Sequence, residues 1–488
     1  MCVYHLLTVG VLFYLFLPSR SPPPLLSLFF PSLFCFLILL FSFLGVLLLR
    51  LHVAAIFIQS RVLDRNPLTG RLELADNAHF VFGGDAVDQG SGDLAFLEDL
   101  MRLKGRYPSR VHIVLGNRDI NKMRLVDELR QAHMDAHPWG TYAGTYWRTK
   151  EGSGAKEEEE EEEDTRAARL KWILAHTMGS GRTFELRREE LARKKKEKPS
   201  RGIGNDDDEH VDDADANNHN DADVAVTVSD EEVVSSFIES LGTNGLLRQY
   251  LYAGKLGVIV GDTLFIHGGL SPKVMGWLPA CESESKAGPH GDDGGVGIDT
   301  RGALEPNAHL WIARLNAFCT REMHAWFHAH DHGAIMSGDA WAMQGGYDGD
   351  RFPGSNVLQY GMGWVPSGAR NPTLVYRDWM APPRKDHNVR AVTVGKDGKL
   401  EAPAPSWRPT KAVVVPRSPH PDVVAYLQRS GIRRVVCGHK PHGDAALVIR
   451  SKKGDRGDED DEDEGSTGPF LTVITVDTSY SGQVTVVD

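Results

Sequence analysis

An α/β fold is the class this sequence predicts, and three observations carry it. From Asn77 onward, short apolar runs alternate with amphipathic ones in the order strand, helix, strand, helix. The connections between the first of them are short. Several of the apolar runs end in Asp, Asn or His flanked by glycine, as strands do when they feed a site at the carboxyl edge of a sheet.

Taken in order, His79-Phe-Val-Phe runs into glycines at Gly83 and reads as a buried strand. Asp93 to Lys104 has helical spacing, with Leu94, Phe96, Leu97, Leu100 and Leu103 apolar. Arg110 to Leu115 is the next strand, and a helix is expected near Asn121 to His133. Ala167 to Thr177 is helical, and Glu231 to Gly254 reads as one helix or two. Gly257 to Val260 and Thr263 to Ile266 are paired strands around the turn Gly261-Asp262. Asn307 to His328 is helical and Pro372 to Tyr376 reads as a strand. Asp422 to Ser430 is a helix, Arg433 to Cys437 a strand, and Phe470 to Val476 a last strand.

Charge divides the chain into a body and its inserts. Of 488 residues, 54 are Lys or Arg and 66 are Asp or Glu, a net charge of −12. Three stretches, Glu157–Asp164, Asp206–Asp223 and Asp458–Glu464, hold eight, nine and seven acids with no Lys or Arg among them. Without these 24 acids the balance is +12. The body is therefore mildly basic, which suits an anionic substrate. Solvated, disordered loops are expected at 151–165, 194–230, 282–300 and 451–468. Collagen-like, coiled-coil and wholly disordered readings are excluded by composition. A nucleic-acid partner is not expected, because no basic stripe with interleaved aromatics occurs. The five cysteines are odd in number, widely spaced and without a CxxC pair. A disulfide framework is therefore not expected, and a reducing, cytoplasmic compartment fits the body.

The first 58 residues differ from the rest. Leu25 to Leu49 carries no charge and is long enough to cross a bilayer as a helix. The basic residues Arg50, Arg61 and Arg65 follow it, which would leave the body facing the cytoplasm. The segment reads either as a transmembrane anchor or as translated non-coding sequence, and membrane contact is expected only in the first case.

Four segments carry the chemistry: Gly84-Asp85-Ala-Val-Asp88-Gln89-Gly90, Gly116-Asn117-Arg118-Asp119, His267-Gly-Gly and Gly438-His439-Lys-Pro-His442-Gly. Mixed oxygen and nitrogen donors at strand ends suit a first-row divalent ion such as Mn, Fe or Zn. Each segment alone also has a bland reading as a turn or a satisfied histidine. Four in this order resemble the calcineurin-like metallophosphoesterase superfamily, from about Leu72 to Ser481. GNRD followed by Ile120-Asn121-Lys122 resembles a divergent subgroup of protists and algae.

That resemblance implies a metallophosphoesterase-type β-sandwich flanked by helices, occupying residues 72–481, with two divalent metal ions. It implies metal ligands Asp85, Asn117, His267, His439 and His442, with Asp85 bridging. His442 is spaced GHxxH here, against GHxH in many members. Asp88 would orient water or a neighbouring ligand. Arg118 and Asp119 stand where the family has a proton-donating His and the acid that holds it. Arg cannot release a proton near neutral pH, so Arg118 would bind phosphate or stabilise the leaving oxygen, favouring aryl phosphates and phosphoanhydrides. Gln89 stands where the main protein phosphatases have Arg. The opening Asp-x-His motif is absent before Phe80. The implied function is hydrolysis of a phosphate ester or anhydride by a metal-bridging hydroxide, on a phosphorylated protein or small molecule. The alternative is a catalytically impaired member acting as a binding or scaffold protein. His324, His328, His330 and His332 read as a helix end more readily than as a metal cluster, and Cys437 as a buried structural thiol.

Overall fold

The computed structural model describes residues 2–8, 11–17, 62–136, 163–197, 226–279, 305–334, 352–363, 373–379, 418–440, 446–451 and 470–477. Gln89, Lys273 and Asp378 are outside that description, whereas Pro138, 393–394 and 400–401 are within it. Residues 25–49, Gln89 and His442, and most of the expected acidic inserts, thus lie outside the described residues.

From the N-terminus, β1 (Cys2–Thr8) and β2 (Val11–Leu17) pair as an antiparallel hairpin. A second small hairpin, β3 (Leu63–Arg65) with β4 (Leu72–Leu74), precedes β5 (His79–Phe82). Helix α1 (Asp93–Arg106) leads to β6 (Val111–Ile113). Asp93 at its start and Lys104 and Arg106 at its end both complement the helix dipole. Three short helices follow: α2 (Asn117–Asn121), α3 (Leu125–Glu128) and α4 (Gln131–Ala136). Lys122–Arg124 forms a 3-10 turn between the first two, so the helix expected near Asn121–His133 starts earlier and is broken.

Helix α5 (Arg166–Trp172) continues as a π-turn over Ile173–Thr177, and α6 (Thr183–Glu197) follows. Helix α6 reaches into the stretch expected as an acidic insert, because its Lys194 and Lys195 find partners in Glu98 and Glu232. Helix α7 (Asp230–Leu241) is started by a reciprocal cap between Ser229 and Glu232, and α8 (Leu246–Ala253) follows it. Then come β7 (Gly257–Val260), β8 (Thr263–Ile266), α9 (Ala308–Asp331) and α10 (Ser355–Met362). After the short pair β9 (Thr393–Val394) and β10 (Leu400–Glu401), the chain forms α11 (Pro421–Arg429), β11 (Arg434–Cys437), β12 (Leu447–Arg450) and β13 (Thr472–Thr475). Pro421 begins α11, where a missing N–H costs nothing.

Two sheets form the centre. One has the order β1-β2-β5-β6, with β5 and β6 parallel. The other has the order β12-β13-β11-β8-β7, with β11 parallel to both β8 and β13. Alternation along each strand explains the layers. Val81, Phe265, Val436 and Ile474 join one apolar cluster with Val114 and Val258, and so bridge the two sheets. Their strand neighbours Phe80, Phe82, Leu264, Ile266, Val435, Cys437 and Val473 join the larger cluster shared with the helices. This is the expected α/β sandwich, with Cys437 buried as a thiol whose Sγ lies 3.8 Å from the Ile474 carbonyl.

Two expectations are corrected. Thr373–Arg377 is a turn, not a strand: Thr373 Oγ1 accepts from the Val375 and Tyr376 N–H groups at 3.4 and 3.1 Å, a local bond that competes with a ladder. Among the described residues no helix is long and apolar enough to cross a membrane, against the expected transmembrane helix, whose residues 25–49 lie outside that description. The described part of the apolar leader pairs instead as strands, β2 lying antiparallel to β5 with Phe13 opposite Phe82. Its large β-favouring residues suit a sheet surface as well as they suit lipid.

Candidate functional site

The four motif segments follow the carboxyl ends of β5, β6, β8 and β11. Since β5 runs parallel to β6, and β8 to β11, each pair opens its loops on a common edge. Two glycines let the loops approach. A Cβ on Gly84 (φ +97°) would lie 2.5 Å from the Gly116 nitrogen and 2.8 Å from His267 Nδ1. A Cβ on Gly116 would lie 2.0 Å from Asp85 Oδ1. Three site residues hold left-handed backbone conformations unusual for side-chain-bearing residues: Asp85 (φ 55°), Asp88 (φ 89°) and His439 (φ 79°). Such strain persists only where surrounding contacts enforce it, and clusters at functional sites.

Asp85, Asn117, His267 and His439 come together. His267 Nε2 lies 3.5 Å from Asp85 Oδ2, and His439 Nδ1 lies 3.0 Å from Asn117 Oδ1. The two imidazoles meet edge to face, with centroids 5.5 Å apart. The Gly438 N–H donates to the His267 carbonyl at 2.7 Å, tying the last two motifs. His267 Nδ1 lies 2.8 Å from the Gly83 carbonyl, which leaves Nε2 turned to the site.

Electrostatics favour an ionised Asp85. Burial opposes its charge, but His267, Arg118 and His439 outweigh that and hold the carboxyl below the usual carboxylate range. For His267, burial disfavours the cation, yet Asp85 prevails and raises the imidazole to about 9.

The Arg118 N–H donates to Asp85 Oδ1 at 3.1 Å, its guanidinium Nε lies 3.7 Å from Asp85 Oδ2, and Nη1 donates to Ser180 Oγ at 3.4 Å. Asp119 lies apart from that guanidinium work. It is fully buried and accepts four hydrogen bonds, from the N–H groups of Gly116, Asp85 and Ala86 at 2.8, 2.8 and 2.9 Å and from the Tyr250 hydroxyl at 2.9 Å. It therefore laces the first two motif loops to each other and to α8. Burial and the neighbouring Asp85 charge push its carboxyl up to about 6, against the pull of its N–H donors. Asp88 forms a fully buried ion pair with Lys122, whose Nζ also lies 3.1 Å from Met178 Sδ. The Asp88 N–H donates to Asp93 at 2.8 Å, and its carbonyl accepts from Thr183 Oγ1 at 3.1 Å.

Tyr250, Ser180 and Tyr376 are site neighbours that no motif announced, and Lys122, beside GNRD, had no role assigned. Tyr250 and Ser180 act across long stretches of sequence, and their residue types are common. Tyr376 is 38% exposed, with its ring centroid 4.8 Å from that of His439. The histidines of α9 stand apart: His324 stacks on Tyr252, His328 on His332, and His330 is buried beside Asp127.

Among the described residues, no group of three or more His, Cys, Asp and Glu is preformed as a metal cage. The donor set nonetheless fits one divalent ion. A carboxylate, an amide oxygen and two imidazoles are the mixed ligands a borderline cation takes. The buried Nε2 of His267 makes no hydrogen bond and has only the 3.5 Å ion-pair contact with Asp85 Oδ2, so both groups are placed to share a ligated ion.

Comparison with known proteins gives one match. Residues 63–263 match the family model of calcineurin-like phosphoesterases. The matched stretch carries Asp85, Asn117, Arg118 and Asp119, and ends before His267 and His439. No curated protein and no solved structure matches the chain.

Proposed function

From a calcineurin-like phosphoesterase domain at residues 63–263, we propose that this chain hydrolyses a phosphate ester or anhydride at a site built from Asp85, Asn117, His267 and His439. The observation that carries the proposal is the convergence of four separate strand ends on those side chains, with Asp85 held ionised among cations.

A divalent ion held by these residues would lower the pKa of bound water and neutralise charge on the phosphoryl oxygens. Everything else falls to the chain. Asp85 supplies the anionic ligand, and its carboxylate is oriented by the Arg118 N–H. His267 is fixed in one ring orientation by the Gly83 carbonyl, which steadies its ligating nitrogen. Arg118, partly exposed beside Asp85, places a permanent positive charge where phosphoryl or leaving-group oxygens would gather charge. With no proton to give, it suits leaving groups that depart as anions, such as aryl oxides and phosphates. Asp119 and the Asp88–Lys122 pair hold the loops from behind.

A second reading, a site that binds phosphate-bearing ligands with little turnover, is favoured by one observation. β2, which pairs with β5, has the sequence VLFYLFL, with no carboxylate or imidazole in it. Asp85, Asn117, His267 and His439 are the donors brought together among the described residues, and His442 lies outside them. The deciding experiment is hydrolysis of p-nitrophenyl phosphate with added Mn²⁺. Turnover lost in Asp85→Asn supports hydrolysis at this site. Turnover that survives Asp85→Asn removes the site from the reaction, and no turnover in the wild type favours the second reading.

A further inference from the structure

Tyr376 is a half-open side chain packed on a site residue. Its centroid lies 4.8 Å from that of His439, the planes tilted by 57°, and 38% of the residue is open to solvent. A large aromatic left half-open beside a polar cluster is not needed to fill a core. The backbone that presents it is built with care. Leu374 uses its carbonyl to accept the Gly268 N–H at 2.7 Å, and the Thr373 hydroxyl accepts the Tyr376 N–H at 3.1 Å. Gly268 permits this approach, since a Cβ there would lie 2.6 to 2.8 Å from the carbonyls of Leu374, Val375 and Arg377. The third motif, His267-Gly-Gly, therefore pins the turn that carries the ring.

Arg118 stands at Asp85, while Tyr376 stands at His439. A phosphate held by the four ligands would have a guanidinium beside one of them and an aromatic ring beside another.

We propose that Tyr376 is a specificity-determining residue that stacks on the organic part of the substrate, so that the site prefers phosphates of planar, aromatic groups over those of alkyl alcohols. This inference rests on the phosphate-ester reading of the site. Offset or edge-to-face aromatic contact contributes about 0.5–1.5 kcal/mol beyond area burial, which corresponds to a preference of roughly two- to tenfold.

The test is calorimetric titration of the full chain with Mn²⁺, using phenylphosphonate and methylphosphonate as non-hydrolysable probes. The wild type should bind phenylphosphonate several-fold more tightly. Tyr376→Phe should keep that preference, and Tyr376→Ala should lose it while binding methylphosphonate as before. Equal affinity for the two probes in the wild type, or a preference that survives Tyr376→Ala, overturns the role of Tyr376 alone. Failure of the wild type to bind either phosphonate overturns the phosphate-ester reading, and the role of Tyr376 with it.

Discussion

Replacing Asp119 by Ala tests how the site is held together. The carboxylate accepts from three backbone N–H groups and one hydroxyl, all within 2.9 Å, in a fully buried position. Alanine leaves those four donors without their acceptor. At about 1–3 kcal/mol for each buried donor so orphaned, the loss is at least about 4 kcal/mol, a large share of the ~5–15 kcal/mol of a typical domain. Tyr250→Phe removes one of the four partners and should cost about 1 kcal/mol. Urea denaturation of the wild type and both variants measures the difference at constant m-value. An Asp119→Ala variant within about 1 kcal/mol of the wild type would refute the lacing role, as would a Tyr250→Phe variant equally damaged.

Other outcomes follow from the same geometry. Gly116→Ala places a Cβ 2.0 Å from Asp85 Oδ1, so Mn²⁺ affinity should fall at least about tenfold while far-ultraviolet circular dichroism stays near wild type. Burial is the main cause raising the Asp93 carboxyl to about 7, opposed mainly by Arg187. A folded pKa above the unfolded value of 3.8 contributes stability that is whole below pH 3.8 and lost as pH rises through about 7. The full effect is about 4 kcal/mol, and Asp93→Asn should flatten that part of the stability–pH curve measured by chemical denaturation. Arg118→Ala should lower kcat/KM for p-nitrophenyl phosphate by roughly tenfold or more, with Arg118→Lys restoring only part, because a point charge replaces a planar fork. Unchanged kinetics in Arg118→Ala would remove that guanidinium from the reaction.

Much of this was legible in the sequence. Strand–glycine–donor segments announced the ends of β5, β6, β8 and β11, because period-2 alternation and the glycines that permit close approach are local features. Helices α1, α7, α8, α9 and α11 showed in their helical spacing. What escaped notice was decided by distant partners. The tetrapeptide gives Asp119 a catalytic reading and says nothing of its bonds, which reach back to Asp85 and forward to Tyr250, 131 residues away. Thr373–Tyr376 looks like a strand in composition, whereas a hydroxyl bond turns it over Gly268. The apolar N-terminal residues carry no signal that separates lipid from sheet, and pairing with β5 decides for Val11–Leu17.

The central claim is that four strand-end loops make one metal-binding site, and Mn²⁺ titration of the full chain tests it most directly. The wild type should bind the ion, and Asp85→Asn, Asn117→Ala, His267→Ala and His439→Ala should each weaken binding by at least about tenfold. A wild type that binds no Mn²⁺, or binding indifferent to the variants on either pair of loops, would contradict it.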